Sequence, residues 1–380
     1  MQQCGVFSNI INERKILSKI ISIATGVPGY KHSQTDLFTY ADEVYNKNED
    51  DSRKLGFLYR QSGIEYRHSV MADFSIPEEE RTFFATAENK NTIPDIGKRM
   101  KIYDDFAAPL SVETIEKCIK GKINKDEITH LITVSCTGMS APGLDLQVME
   151  LMDLPKTIIR TSVNFMGCYA AIHAMKIADA FCNSAPNANV IVVCTEFCTL
   201  HFQKEFSIDN LTSSLLFADG CAAILMQGND GNKGLRIENF YSDVIFKGKK
   251  DMSWSLSSSG FLMTLSGYIP ELIKADFEKL VASALNKTGR KKEDVTNWCI
   301  HPGGKKILQS IAESLQLQKE NFKPSYEVLN DYGNMSSPTI LFVLQKIMNE
   351  LKETKEEKAV IFGAAFGPGL TMETFTATYD

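Results

Sequence analysis

No apolar run in this chain reaches the ~18 residues that a membrane-spanning helix needs, so no transmembrane helix is expected. The stretch from Met1 to Lys15 (MQQCGVFSNIINERK) lacks a cationic region followed by an apolar one, and no secretory signal is expected there. Positive charge is in deficit. With 41 Lys and Arg against 47 Asp and Glu, the net charge is −6. That argues against a general nucleic-acid binder, and any anionic substrate must find a local basic cluster. Short repeats are missing too, which excludes a solenoid. CxxC pairs are absent, although there are nine cysteines: Cys4, Cys118, Cys136, Cys168, Cys182, Cys194, Cys198, Cys221 and Cys299. The number is odd and most lie inside apolar runs, so a reduced, cytoplasmic protein with buried thiols is expected. Cys194 and Cys198, with His201, have the residue types of a metal site. However, Cys194 ends an apolar strand and no second pair completes four ligands, so no metal is expected.

What is present is ordinary globular composition, 43% hydrophobic and 23% charged, in 380 residues. That length suggests two core-forming halves. Strand candidates at Leu131–Val134, Val190–Cys194, Cys221–Met226, Trp298–Ile300 and Ala359–Phe362 alternate with helical segments. The helical segments are Met166–Cys182, Pro270–Leu285, Ile307–Leu315 and Thr339–Leu351. Such alternation predicts an α/β protein. Residues 40–54 and 351–358 are strongly polar and read as solvated faces or loops. The turn cluster Gly228–Gly234 (GNDGNKG) divides the chain into 1–230 and 231–380 if it is a boundary; an ordinary surface hairpin fits it equally well.

The most informative residue is Cys168, in Asn164-Phe165-Met166-Gly167-Cys168-Tyr169-Ala170-Ala171. Lys156 to Val163 (KTIIRTSV) reads as a strand. The alanine-rich run after Cys168 reads as a closely packed helix. A thiol in the first turn of that helix would feel the helix dipole and unpaired N–H groups, and both favour thiolate. Gly167 permits a sharp turn. For one Cys among nine, an apolar core filler is the stronger reading unless a base and an oxyanion donor exist elsewhere.

Both have candidates. His301, in Asn297-Trp298-Cys299-Ile300-His301-Pro302-Gly303-Gly304, ends a short apolar strand. It is the most constrained of the six histidines, and a structural, hydrogen-bonded His fits equally well. Asn334, in Tyr332-Gly333-Asn334-Met335-Ser336-Ser337, precedes a predicted helix, where spacing alone favours a turn or cap role. Phe366-Gly367-Pro368-Gly369-Leu370-Thr371 follows a strand and either brings bare backbone to a site or is a plain turn. Together a Cys, a His and an Asn suit carbon–carbon bond formation through thioesters. The same types serve cysteine proteases, whose usual Cys-flanking signatures are missing here.

In this combination the four segments resemble the signatures of type III polyketide synthases, the chalcone and stilbene synthase family, over about residues 20–376. The resemblance implies a thiolase-like αβαβα five-layer fold of two similar halves and an obligate homodimer. It implies repeated decarboxylative condensation of malonyl-CoA onto an acyl starter, with cyclisation to a pyrone, resorcinol or phloroglucinol-type product, CoA thioesters as substrates and no cofactor. It makes Cys168 the nucleophile and His301 and Asn334 the decarboxylation and oxyanion pair. Phe217 becomes a gatekeeper at the cavity mouth. Cys136, Thr137, His201, Ser336, Gly367 and Pro368 fall along the substrate cavity. The chain also departs from the family. Met263 stands at a second gatekeeper position where Phe is usual, and a flexible thioether could admit an alkyl chain. Thr264, Ala141, His201 and Ala365 replace a His, a Met, a Thr and a Gly. Of the CoA-phosphate residues only Lys54 matches, with Phe57 and Gln61 at other basic positions. Lys305 and Lys306, beside Gly304, could compensate or could simply be a solvated helix start. A weak phosphate site is also compatible with a starter delivered by an acyl carrier protein, as in the similar slime-mould hybrids where such a domain follows a fatty-acid-synthase-like assembly. A single-round ketoacyl-ACP synthase of the third type and an inactive thiolase-fold binding subunit are the rivals. The FGPG loop and the Phe217 segment argue against the first, and an intact Cys168 against the second.

Overall fold

A computed structural model describes residues 18–45, 48–84, 93–228, 232–355 and 358–380. The reading of Met1 to Lys15, Cys4, and part of the Gly228–Gly234 cluster lie outside these residues. In chain order, β1 (Lys19–Gly26) and the short β2 (Tyr30–Ser33) lead into helices α1 (Gln34–Tyr45) and α2 (Glu49–Gln61), then β3 (Tyr66–Ser69) and the long α3 (Ile96–Ile119). There follow β4 (His130–Ser135), α4 (Leu144–Met152), β5 (Ile159–Asn164), α5 (Ala170–Ser184), β6 (Asn189–Phe197), α6 (Ile208–Leu216) and β7 (Asp219–Gln227). The second half contains β8 (Leu235–Val244), the hairpin β9 (Met252–Ser257) and β10 (Gly260–Leu265), α7 (Ile269–Asn286) and β11 (Asn297–Ile300). It ends with α8 (Lys305–Leu315), α9 (Lys323–Tyr332), α10 (Thr339–Thr354), β12 (Val360–Gly367) and β13 (Thr371–Tyr379).

The strands form a sheet in the order β11-β12-β13-β8-β1-β7-β6-β4-β5. Its two halves meet where β1 pairs with β8 over only two residue pairs, Lys19 with Arg236 and Ile20 with Leu235. Strands β4, β6, β7 and β12 read as almost unbroken apolar runs because both faces are covered. Three core clusters show what covers them. One gathers α5 and α10 against the inner faces of both half-sheets. Another packs α3 and α4 on the outer face of the N-terminal half, and the third packs α7 and α8 on the outer face of the C-terminal half. Helices, sheet, helices, sheet, helices is the five-layer αβαβα architecture. Strand β5 is at the sheet's end and mostly exposed, because β4 alone pairs with it among the described residues.

Candidate active site

The chain reaches Cys168 through a forced turn. Phe165 (φ 59°) and Gly167 (φ 80°) both take left-handed backbone between β5 and α5. A Cβ on Gly167 would collide with the Pro368 ring, so the Gly-Pro-Gly loop seats directly on this turn. Gly367 is closed against Tyr169 in the same way. Helix α5 starts at Ala170 with Tyr169 as its cap, so Cys168 precedes the helix rather than lying in its first turn. The expected thiolate is corrected as well. Burial outweighs the neighbouring hydrogen-bond donors and pushes the Cys168 thiol up to about 12.

His301 follows β11, its N–H donating to the Ala364 carbonyl at 2.9 Å. Its side chain is 1% exposed. Among the described residues neither ring nitrogen has a hydrogen-bond partner. Burial lowers its pKa to about 3, so the ring is neutral, with one N–H to give. Asn334 is fixed from both sides. Its backbone bridges the end of α6, donating to Leu216 O and accepting from Ala218 N, both at 2.9 Å. Its Oδ1 accepts from Ser336 N at 2.9 Å. Its Nδ2 donates to Gly303 O at 3.4 Å. Cys168 Sγ lies 4.0 Å from Asn334 Oδ1. Cys168, His301 and Asn334 line one cavity of about 340 Å³, open space included, with Phe366 and Ile307 also in its wall. Ser336 (φ 60°) places its hydroxyl beside the Cys168 thiol.

Phe217 and Met263 line this cavity and also a second one of about 690 Å³, open mouth included, between α1, α6 and the β9–β10 hairpin. His201 lines the second cavity with its ring face only. Nε2 is bonded to Thr137 O (2.8 Å), Nδ1 accepts from Phe261 N (3.0 Å), and the ring stacks on Phe261. Cys136 and Thr137 line neither cavity. Cys136 Sγ accepts from Gly167 N at 3.0 Å, and Thr137 Oγ1 donates to Glu196 Oε2 at 2.7 Å. Cys136 thus braces the Cys168 turn from behind, and Thr137 anchors Glu196 beside it. Lys54 and Lys306 are exposed on α2 and at the start of α8, and Gly304 (φ 158°) caps α8 against Leu216. Among the described residues no group of three His, Cys, Asp or Glu side chains is placed to hold a metal ion, the Cys194, Cys198 and His201 set included. No helix there is long and apolar enough to cross a membrane.

Two buried charged residues escaped the sequence reading. Glu196 is 0% exposed, and its carboxylate accepts from Cys136 N, Thr137 Oγ1 and Ser337 Oγ. Burial still pushes it up to about 7. A lone acid inside the apolar run of β6 was a usable signal. Arg67, on β3, is 3% exposed. It donates through Nη1 to Phe217 O at 2.7 Å and through Nε to Gln34 Oε1 at 3.0 Å.

The sequence model of the chalcone and stilbene synthase N-terminal domain matches residues 10–230, and that of the C-terminal domain residues 237–378. A probable polyketide synthase of Dictyostelium discoideum is 29% identical over 365 residues. The match covers 94% of this chain and 11% of that much longer protein. An alpha-pyrone synthesis polyketide synthase-like protein of Mycobacterium tuberculosis is 28% identical, covering 93% of this chain and 89% of its own. Among solved structures, a polyketide synthase of the brown alga Ectocarpus siliculosus superposes with a TM-score of 0.89 at 25% identity, covering 96% of this chain and 98% of that one. The C-terminal type III domain of a Dictyostelium hybrid synthase gives 0.87 at 27% identity, covering 96% and 99%.

Proposed function

The chain belongs to the chalcone and stilbene synthase family, type III polyketide synthases that are acyltransferases, and on that basis we propose that it extends an aliphatic acyl starter repeatedly with malonyl-CoA. Enzymes of this family act on malonyl-CoA and acyl-CoA thioesters. The observation that carries the reading is His301: a buried, neutral ring with both nitrogens unpartnered, in the same cavity as Cys168 and Asn334. A buried polar group left unsatisfied is costly, and a ligand that satisfies it recovers that cost.

The steps run as follows. Cys168 gives its proton to His301 and attacks the starter thioester, and the departing CoA thiolate takes that proton back from His301. Each charge alone is disfavoured by burial; the pair forms together and attracts across the cavity. Malonyl-CoA then places its thioester carbonyl against the N–H of His301 and Nδ2 of Asn334. Loss of carbon dioxide leaves an enolate whose oxyanion those two donors stabilise. The enolate carbon attacks the Cys168 thioester, Cys168 leaves as thiolate, and the lengthened chain returns to it for another round. Phe217 and Met263 form the gate between the two cavities, and Met263 in place of an aromatic ring gives an alkyl chain room. Lys54 and Lys306, with the Gly304 turn, meet the CoA phosphates. Phe57 and Gln61 on α2, at positions where the family is basic, weaken that clamp. Delivery from an acyl carrier protein is therefore tested beside free CoA. The chain acts as a homodimer, and the eight free, buried cysteines described fit a reducing, cytoplasmic setting. Pyrone, resorcinol and phloroglucinol-type closures are the products to look for.

Mass spectrometry of products from purified protein, malonyl-CoA and short, medium and aromatic acyl-CoA starters tests this. Products with two or more added ketide units support iterative condensation. A single extension moves the reading to a ketoacyl synthase, and no product with Cys168 unacylated moves it to carrier delivery or a binding role.

A further inference from the structure

The second cavity holds an unspent positive group. Arg67 uses Nε on Gln34 and Nη1 on the Phe217 carbonyl, yet Nη2 is buried and has no hydrogen-bond partner. The Tyr59 hydroxyl acts on the guanidinium by charge and by a hydrogen bond and Asp219 acts through space, but among the described residues no carboxylate forms an ion pair with it. Two further orphaned groups line the same cavity: the Tyr40 hydroxyl on α1 and Ser213 Oγ on α6. Among the described residues no Asp or Glu lines it. Much of the remaining wall is apolar, with Leu37, Ala41, Phe74 and Phe202. Buried donors left idle together, in a cavity without an acid, mark a place for an anion. A guanidinium N–H pair suits a carboxylate. Phe217 and Met263 line both this cavity and the one that holds Cys168.

We infer that the second cavity binds the far end of a carboxylate-terminated aliphatic acyl starter, with Arg67 Nη2 taking the carboxylate while the thioester end reaches Cys168. This rests on the polyketide synthase reading and names its starter class. The apolar wall accommodates the methylenes, and the Tyr40 and Ser213 hydroxyls supply further donors. Arg67 also pins the Phe217 carbonyl, so an occupied cavity would fix the gate residue beside it.

The test compares glutaryl-CoA with pentanoyl-CoA, and suberoyl-CoA with octanoyl-CoA, as starters for the unsubstituted protein. The expected result is a higher kcat/KM for the carboxylate-ended member of at least one pair. In Tyr40→Phe and in Arg67→Met, the ratio of carboxylate-ended to methyl-ended kcat/KM should fall by about tenfold, the scale of one lost charge-assisted hydrogen bond. Calorimetry with free glutarate and suberate reads the site without turnover, and covers the case in which Arg67→Met does not fold. Preference for the methyl-ended starter in both pairs, with no heat from either dicarboxylate, overturns the inference. Dicarboxylate binding in a protein that extends no starter at all upholds the site and overturns the polyketide reading instead.

Discussion

At the scale of single residues, the proposed chemistry turns on a proton passed between two groups that burial keeps neutral. The Cys168 thiol is pushed up and the His301 ring down. Each lacks a fixed counter-charge, so the thiolate depends on His301 receiving the proton. Removing the base leaves only the hydrogen bonds from Ser336, Asn334 and the backbone against burial. In His301→Gln the apparent pKa for alkylation of Cys168 by iodoacetamide should therefore rise by about one unit or more relative to the unsubstituted protein. Identical pH profiles would remove His301 as the base. Cys168→Ala should abolish ketide products and covalent acylation while leaving the fold intact, read by intact-protein mass and circular dichroism; unchanged turnover would sink the mechanism. Glu196 carries a different pH signature. Its folded pKa of about 7 stands above the ordinary 4.5. The folded protein therefore keeps a proton that the unfolded chain has released. That contribution to stability is complete below pH 4.5 and is lost as the pH rises through about 7. In Glu196→Gln the amide oxygen can still accept from Cys136 and Thr137, and its nitrogen can face the Ser337 hydroxyl. Its stability should gain on the unsubstituted protein across that window, by on the order of 3 kcal/mol, in urea titrations at several pH values. Parallel curves would contradict it.

At the scale of elements, the site is made by two turns pressed together. Gly167 takes left-handed backbone and has Pro368 where a side chain would go. Gly121, at φ 69°, takes similar backbone with nothing within 4 Å. Both Gly→Ala changes should cost about 1 kcal/mol for the backbone alone. Gly167→Ala should cost visibly more and also depress condensation, because the Gly-Pro-Gly loop must move off the nucleophile. Equal urea midpoints for the two variants would mean that the loop yields freely. The same two turns show what a reader of the sequence can and cannot see. Strands buried on both faces announce themselves as apolar runs, so β4, β6, β7 and β11 were legible almost to their ends. β8 was not read as a strand, because its outer half is exposed and its residues alternate polar and apolar. Helix α5 was read as starting at Met166, since nothing in Phe165-Met166-Gly167-Cys168 declares that two residues will turn left-handed. The Cys, His and Asn were legible because each stands in a turn segment of recognisable composition. Arg67 and Glu196 were not, since their partners come from distant stretches: Gln34 and Phe217 for one, Cys136 and Ser337 for the other.

At the scale of the molecule, the two half-sheets share a helical layer, so each half's nucleophile or donor is carried to a common interior. Cys168 precedes α5 and Asn334 precedes α10, and those two helices are packed in one core cluster. What the single chain leaves uncovered is at the other end of the sheet. Strand β5 has one sheet neighbour among the described residues, and Ile159 on it is 52% exposed. Beside it on α4, Leu151 is 58% exposed, and Met139 in the preceding loop is 54% exposed. An open strand edge flanked by large apolar side chains invites association. A two-fold dimer covers such a patch with its own copy. Ile159→Lys with Leu151→Glu should convert the protein from dimer to monomer in sedimentation velocity, with circular dichroism unchanged, and should lower condensation in proportion to the monomer formed. A dimer that persists in the double variant would place the interface elsewhere. A monomer with full activity would show that each chain builds its site alone.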